Sequence, residues 1–151
     1  MMKKTPTLLL LILALILYVL SLASPWLRIL YMAEDTVISL EKIYVIKSSV
    51  SLLYIISFII IFAIFVTAIA YVKNNPEYQI LSVFLSFLAV MIFIIALFDG
   101  VLTYANAQLS TYTSPDKKIR AIIFLEIGIY FVVLATFLNS LSLALGVYSE
   151  K

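Results

Sequence analysis

The chain has 151 residues, of which 65% are hydrophobic and 12% charged, and its mean hydropathy is +1.19. A soluble domain averages about 25% charged residues; too few polar side chains exist here to clothe a water-facing globule, and a bilayer is the solvent the composition fits. The absence of His and Cys excludes disulfides and the metal centres and nucleophiles built on those residues, and a net charge of +2 is too small to point to nucleic acid.

Four stretches contain no Asp, Glu, Lys or Arg and are long enough to cross a bilayer: residues 5–27, 48–72, 78–98 and 127–149. A hydrocarbon core of about 30 Å needs roughly 20 helical residues. A helix also satisfies its own backbone polar groups, as lipid requires, whereas the alternating polarity of a barrel strand is absent. The sequence therefore predicts an all-α integral membrane protein, a single transmembrane domain over residues 1–151 built as a four-helix bundle. Its first long loop has room for a small β or interfacial helical element. The expected helices span about 5–27, 48–72, 78–98 (extending to about 109) and 119–148.

The first segment has a second reading. Met1-Met2-Lys3-Lys4 is a basic start, 8–22 is apolar, and Ser21-Leu22-Ala23 has the spacing of a signal-peptidase site. The apolar run is at the upper limit for a signal peptide, and Pro25-Trp26 reads as a helix end at an interface, which favours a retained first helix. Trp26 is expected as an interface anchor, with Tyr31 and Tyr44 in the same aromatic belt. In the loop 28–47, the stretch TVISLEKIYVIK supports two readings. Val37, Leu40 and Tyr44 fit helical spacing, whereas the β-branched content favours a strand.

Lys73-Asn74-Asn75-Pro76-Glu77 is a tight turn that makes helices two and three antiparallel. Beside it lie small-residue stripes at Ala63, Thr67 and Ala70 and at Ser82, Ser86 and Ala89. These are expected to oppose each other as the tightest contact of the bundle, with the hydroxyls bonded to the preceding turn of their own helix. The third helix can extend through GVLTYANAQL until Ser114-Pro115 stops it. Helix four carries a further stripe at Gly128, Ala135, Ser142 and Gly146, with Asn139 along it.

Two carboxylates, Asp99 and Glu126, lie at or inside the boundary of an apolar run. With helix four starting near 117–120, Glu126 would sit about 9–13 Å inside the membrane by helical rise. It would also lie about 200° around the helix from Gly128. Lys117, Lys118 and Arg120 belong to the same end. The carboxylates read either as structural partners of a snorkelling base or as a proton or cation relay. No glycine-rich phosphate loop is available from glycines at 100, 128 and 146, and no cofactor or metal site is expected.

Lys3 and Lys4 flank helix one without acidic neighbours, which favours cytoplasmic termini, although the bare count of Lys and Arg in the long loops favours the reverse. Four helices, a first loop longer than the turn after helix two, and Ser24-Pro25-Trp26-Leu27 closing helix one resemble the claudin-like tetraspan membrane proteins. The resemblance implies a small β-sheet in the first loop, to which residues 36–46 would contribute strands. That family's Gly-Leu-Trp and paired cysteines are missing here, so adhesion or barrier function does not carry over. The functional expectation is a non-enzymatic, multi-pass protein of the cell membrane. It would act as a scaffold or accessory subunit whose partners are the lipid bilayer and itself or other membrane proteins. The alternative is a small oligomeric transporter or channel using Asp99 and Glu126.

Overall fold

The computed structural model describes residues 5–112 and 118–148. Ser114 and Pro115, expected to stop the third helix, and Lys117 lie outside them. The elements follow in the order α1 (Thr5–Ala23), β1 (Leu27–Ala33), β2 (Thr36–Ile43), a 3-10 turn (Val45–Lys47), α2 (Ser51–Lys73), α3 (Pro76–Ala96), a π turn (Leu97–Val101), α4 (Leu102–Tyr112), β3 (Ile119–Leu125) and α5 (Ile127–Tyr148). Among the described residues, four helices are long and apolar enough to cross a membrane, and a three-stranded antiparallel sheet of order β2-β1-β3 accompanies them.

The sheet corrects three expected boundaries. Helix one ends at Ala23 rather than Leu27, because Leu27 already pairs with Ile43 of β2 and Leu125 of β3. Helix four starts at Ile127 rather than 119, because residues 119–125 form a strand along β1. The stretch 36–43, open between helix and strand on sequence, is strand; Glu34 takes a left-handed φ of 53° at the hairpin turn, and Thr36 Oγ1 donates to Ala33 O at 2.7 Å.

The turn after α2 follows from its side chains. Asn74 ends α2 with a left-handed φ of 50°, a conformation that asparagine tolerates. Asn75 Oδ1 then accepts the Glu77 N–H at 2.8 Å, and Pro76 occupies the first helical position of α3. At its far end α3 continues through the π turn into α4 as one apolar span of 37 residues. At a rise of about 1.5 Å per residue that is about 55 Å, well beyond the roughly 30 Å of a hydrocarbon core. The surplus is α4, and its Tyr104 and Tyr112 pack against the sheet.

Small residues let the helices approach. Ala63, Thr67, Ala70, Ser82, Ser86 and Ala89 are all fully buried, and Thr67 and Ser82 hydrogen-bond directly between α2 and α3. The contact between α1 and α5 is extensive as well. In α5, Ala135 and Asn139 are fully buried and Ser142 Oγ donates to Thr7 O of α1 at 2.8 Å.

The two terminal members of the α5 stripe differ. A Cβ added at Gly128 would lie 2.8 Å from Pro25 O and against the Trp26 indole, whereas one at Gly146 would meet nothing within 4 Å. Overpacking against a backbone carbonyl costs about 1–3 kcal/mol, so Gly128→Ala should lower unfolding stability in detergent by that amount. Gly146→Ala should be neutral or slightly stabilising, since alanine is the better helix former. Equal effects at both positions would contradict the packing.

Candidate functional site

The polar side chains gather in three places around the sheet and in a seam deeper in the bundle. The first is the corner where the sheet meets the helices. Trp26, fully buried, donates from Nε1 to Ser21 O at 2.7 Å and packs edge-on against Phe93 with ring centroids 5.2 Å apart. Trp26 is therefore a core residue and not the interface anchor expected from sequence. Its backbone N–H donates to Ile43 O at 2.8 Å and its carbonyl accepts the Glu126 N–H at 2.9 Å. Next to it the Gly128 N–H donates to Pro25 O at 2.9 Å. The Glu126 carboxylate forms an ion pair with Arg28 of β1. Glu126 thus lies between β3 and α5, outside any helix, so the helical rise and the helical-wheel angle from Gly128 by which it was placed on sequence do not apply.

The second place is the inner face of the sheet. Tyr31 and Glu41 point from β1 and β2 towards α4, where Tyr104 Oη donates to Glu41 Oε1 at 2.6 Å and the Tyr112 ring lies 5.3 Å from that of Tyr31. Tyr31 is 1% exposed and its hydroxyl has no hydrogen-bond partner among the described residues. Burial, reinforced by the nearby Glu41, Tyr104 and Tyr112, pushes its pKa up to about 12.

The third place is a groove where α2 begins. Asp99 and Gly100 of the π turn, Thr103 and Tyr104 of α4, and Ser49, Val50 and Ser51 line a cavity of about 340 Å³. The Asp99 main-chain carbonyl accepts from Thr103 Oγ1 at 2.6 Å. Asp99 and Glu126, paired in the sequence reading as one possible relay, therefore line different sites.

Deeper in the bundle runs a polar seam. Asn139 Nδ2 donates to Ser82 Oγ at 2.9 Å, and Gln79 Nε2 donates to Asn139 O at 3.2 Å. Thr67 Oγ1 also donates to Ala63 O at 2.7 Å, and Ser86 Oγ to Ser82 O at 3.0 Å, so both of these hydroxyls bond their own preceding turn. The sequence reading did not single out Gln79, Arg28, Glu41 or Tyr104. Gln79 alone had a signal, as an amide inside an apolar run; the others become partners only through the sheet. No group of three acidic side chains that could hold a metal ion occurs among the described residues.

Four apolar spans joined to a small antiparallel sheet define the class of protein. No protein-family model matches the chain, and no curated protein matches it.

Two measurements test these contacts. The Arg28 and Glu126 side chains are 41% and 17% exposed, so the pair belongs at the low end of charge-assisted bonds, about 1.5 kcal/mol. Arg28→Ala should cost that much, and combining it with Glu126→Gln should recover part of the loss in a double-mutant cycle; strict additivity would contradict a direct pair. For Tyr31, a folded-state pKa of about 12 against an ordinary 10.0 means that the folded protein holds the proton more tightly. Its stabilising contribution is therefore complete below pH 10 and is lost as pH rises through about 12. Melting temperature should fall across that window, and Tyr31→Phe should make the fall shallower.

Proposed function

We propose that the protein is a non-enzymatic, multi-pass scaffold or accessory subunit of a membrane complex, with both termini cytoplasmic and the sheet outside. The observation that carries this reading is the free β2 edge. Val37, Ile38 and Leu40 are 57%, 43% and 48% exposed on a strand whose outer edge pairs with no other strand among the described residues. An apolar, unpaired edge is a surface suited to contact with another chain. Ion pairing of Glu126 and the placement of Asp99 in a separate groove support this reading over transport, which needs polar groups converging on one path. The start of α1, the end of α5 and the Asn74-Asn75 turn belong to one end of the bundle, and the basic residues Lys3 and Lys4 that precede α1 in sequence favour that end as cytoplasmic.

The claudin-like resemblance supports the same placement, since it implies a sheet carried by the outer loops. Its adhesion and barrier functions are not part of the proposal, because the Gly-Leu-Trp and cysteine residues are absent. The partner is the same chain or another membrane protein.

Purification in mild detergent after in-cell crosslinking tests the reading. The wild-type chain should yield a discrete crosslinked species, and Val37→Lys combined with Leu40→Lys should reduce it at least tenfold without changing the melting temperature. A cation- or proton-dependent flux in reconstituted vesicles that disappears in Glu126→Gln or Asp99→Asn would instead establish the transporter reading.

A further inference from the structure

The free β2 edge carries a charge pattern that narrows the choice of partner. Lys42 is opposite Arg28, Leu40 opposite Leu30 and Val37 opposite Met32, so these side chains share one face of the sheet. The register slips by one residue between Ser39 and Val37, and the extra residue, Ile38, is a bulge on β2. On that face Arg28 is already paired with Glu126, which leaves Lys42 beside a like charge and without an acid of its own among the described residues. Asp35, in the turn just ahead of β2, is exposed and also has no ion pair among them. A lysine and a bulge are devices that discourage indiscriminate pairing at a sheet edge. Here they leave one self-pairing open.

We infer that β2 pairs antiparallel with β2 of a second copy of the chain, about a two-fold axis at Ser39. The inference deepens the scaffold reading and rests on it. A two-fold perpendicular to the sheet keeps each face on its own side and sets the residue at the axis against its own copy. With Ile38 as the bulged residue, an axis at Ser39 places Leu40 against Val37 of the second copy and Lys42 against its Asp35, each twice, and Glu41 against its Thr36. Opposite charges facing each other across strands stabilise a pair, and like charges oppose it. The neighbouring registers fail on that ground. An axis at Val37 sets Glu41 against Glu34, an axis at Glu41 sets two carboxylates together, and an axis at Leu40 sets Lys42 against apolar Val37. The Ser39 axis therefore satisfies the unpaired charges and covers the exposed Val37 and Leu40 with each other. The two sheets become one, in the order β3-β1-β2-β2-β1-β3.

The chain has no cysteine, so single-cysteine variants of the full chain report the pairing directly. Directly opposed strand residues lie within reach of a disulfide. Under mild oxidation in membranes, Ser39→Cys should give at least fivefold more disulfide-linked dimer than Val37→Cys or Leu40→Cys, at the melting temperature of the wild type. In the Ser39→Cys background, Lys42→Glu alone and Asp35→Lys alone should each lower the dimer yield at least fivefold. The two together should restore it, an outcome that loss of folding cannot mimic. A maximum at Val37 or Leu40, or a double charge exchange that fails to restore the dimer, would overturn the self-pairing. In-cell crosslinking of the wild type separates this result from the scaffold reading. A discrete crosslinked species that holds one copy of this chain and a different protein would overturn the second copy as partner and leave the scaffold reading standing. A chain that crosslinks to nothing would overturn both.

Discussion

The fold turns on Trp26. In the corner from Ser21 to Leu27, one residue ties four elements: the end of α1 through Ser21, β2 through Ile43, the start of α5 through Glu126, and α3 through the ring of Phe93. Gly128 is the counterpart that makes room, since any side chain there would strike the Trp26 ring and the Pro25 carbonyl. Burying an indole with its N–H satisfied supplies a large apolar area without leaving an orphan donor. Because the backbone of Trp26 also joins β2 to α5, the sheet is an extension of the bundle and not a loop hung from it.

In a bilayer, apolar helix surfaces gain nothing by leaving lipid for each other, so close packing and a few polar contacts must fix the register. The Ala and Ser stripes provide the first. The seam through Gln79, Ser82, Thr67 and Asn139 provides the second, and it joins α2, α3 and α5 at one end of the bundle. At the other end the sheet does this work, with Arg28 meeting Glu126 and Tyr104 meeting Glu41. Each end of the bundle thus has its own set of directional bonds, and the apolar middle is left to shape complementarity. The free β2 edge belongs to the sheet end, which is where the proposed contact with another chain lies.

Much of this was legible in the sequence for a simple reason: uninterrupted apolar runs and the Asn-Asn-Pro turn are local signals. The four spans and the antiparallel α2–α3 pair follow from them. What escaped was non-local. IRAIIFL in β3 is as apolar as the helix after it, so hydropathy merges the two, and only pairing with β1, far back in the chain, makes it a strand. Trp26 beside Pro25 has the composition of an interface anchor, yet the chain folds back over it and buries it. Glu126 was legible as an exceptional residue; Arg28 as its partner was not, because the sheet had first to bring β1 beside the start of α5. The groove at Asp99 was half legible, in the carboxylate and Gly100, while its Ser51 wall depends on how α2 begins.

The central claim, that the Trp26 corner makes sheet and bundle one cooperative unit, is tested most directly by hydrogen–deuterium exchange of the full chain in nanodiscs. The amides of Trp26, Glu126 and Gly128 should exchange as slowly as those in the middle of α5, and Trp26→Leu should speed exchange across β1, β2, β3 and the first turns of α5 together. Fast exchange at residues 126 and 128 in the wild type, or a Trp26→Leu effect confined to the end of α1, would show that the sheet is an independent appendage.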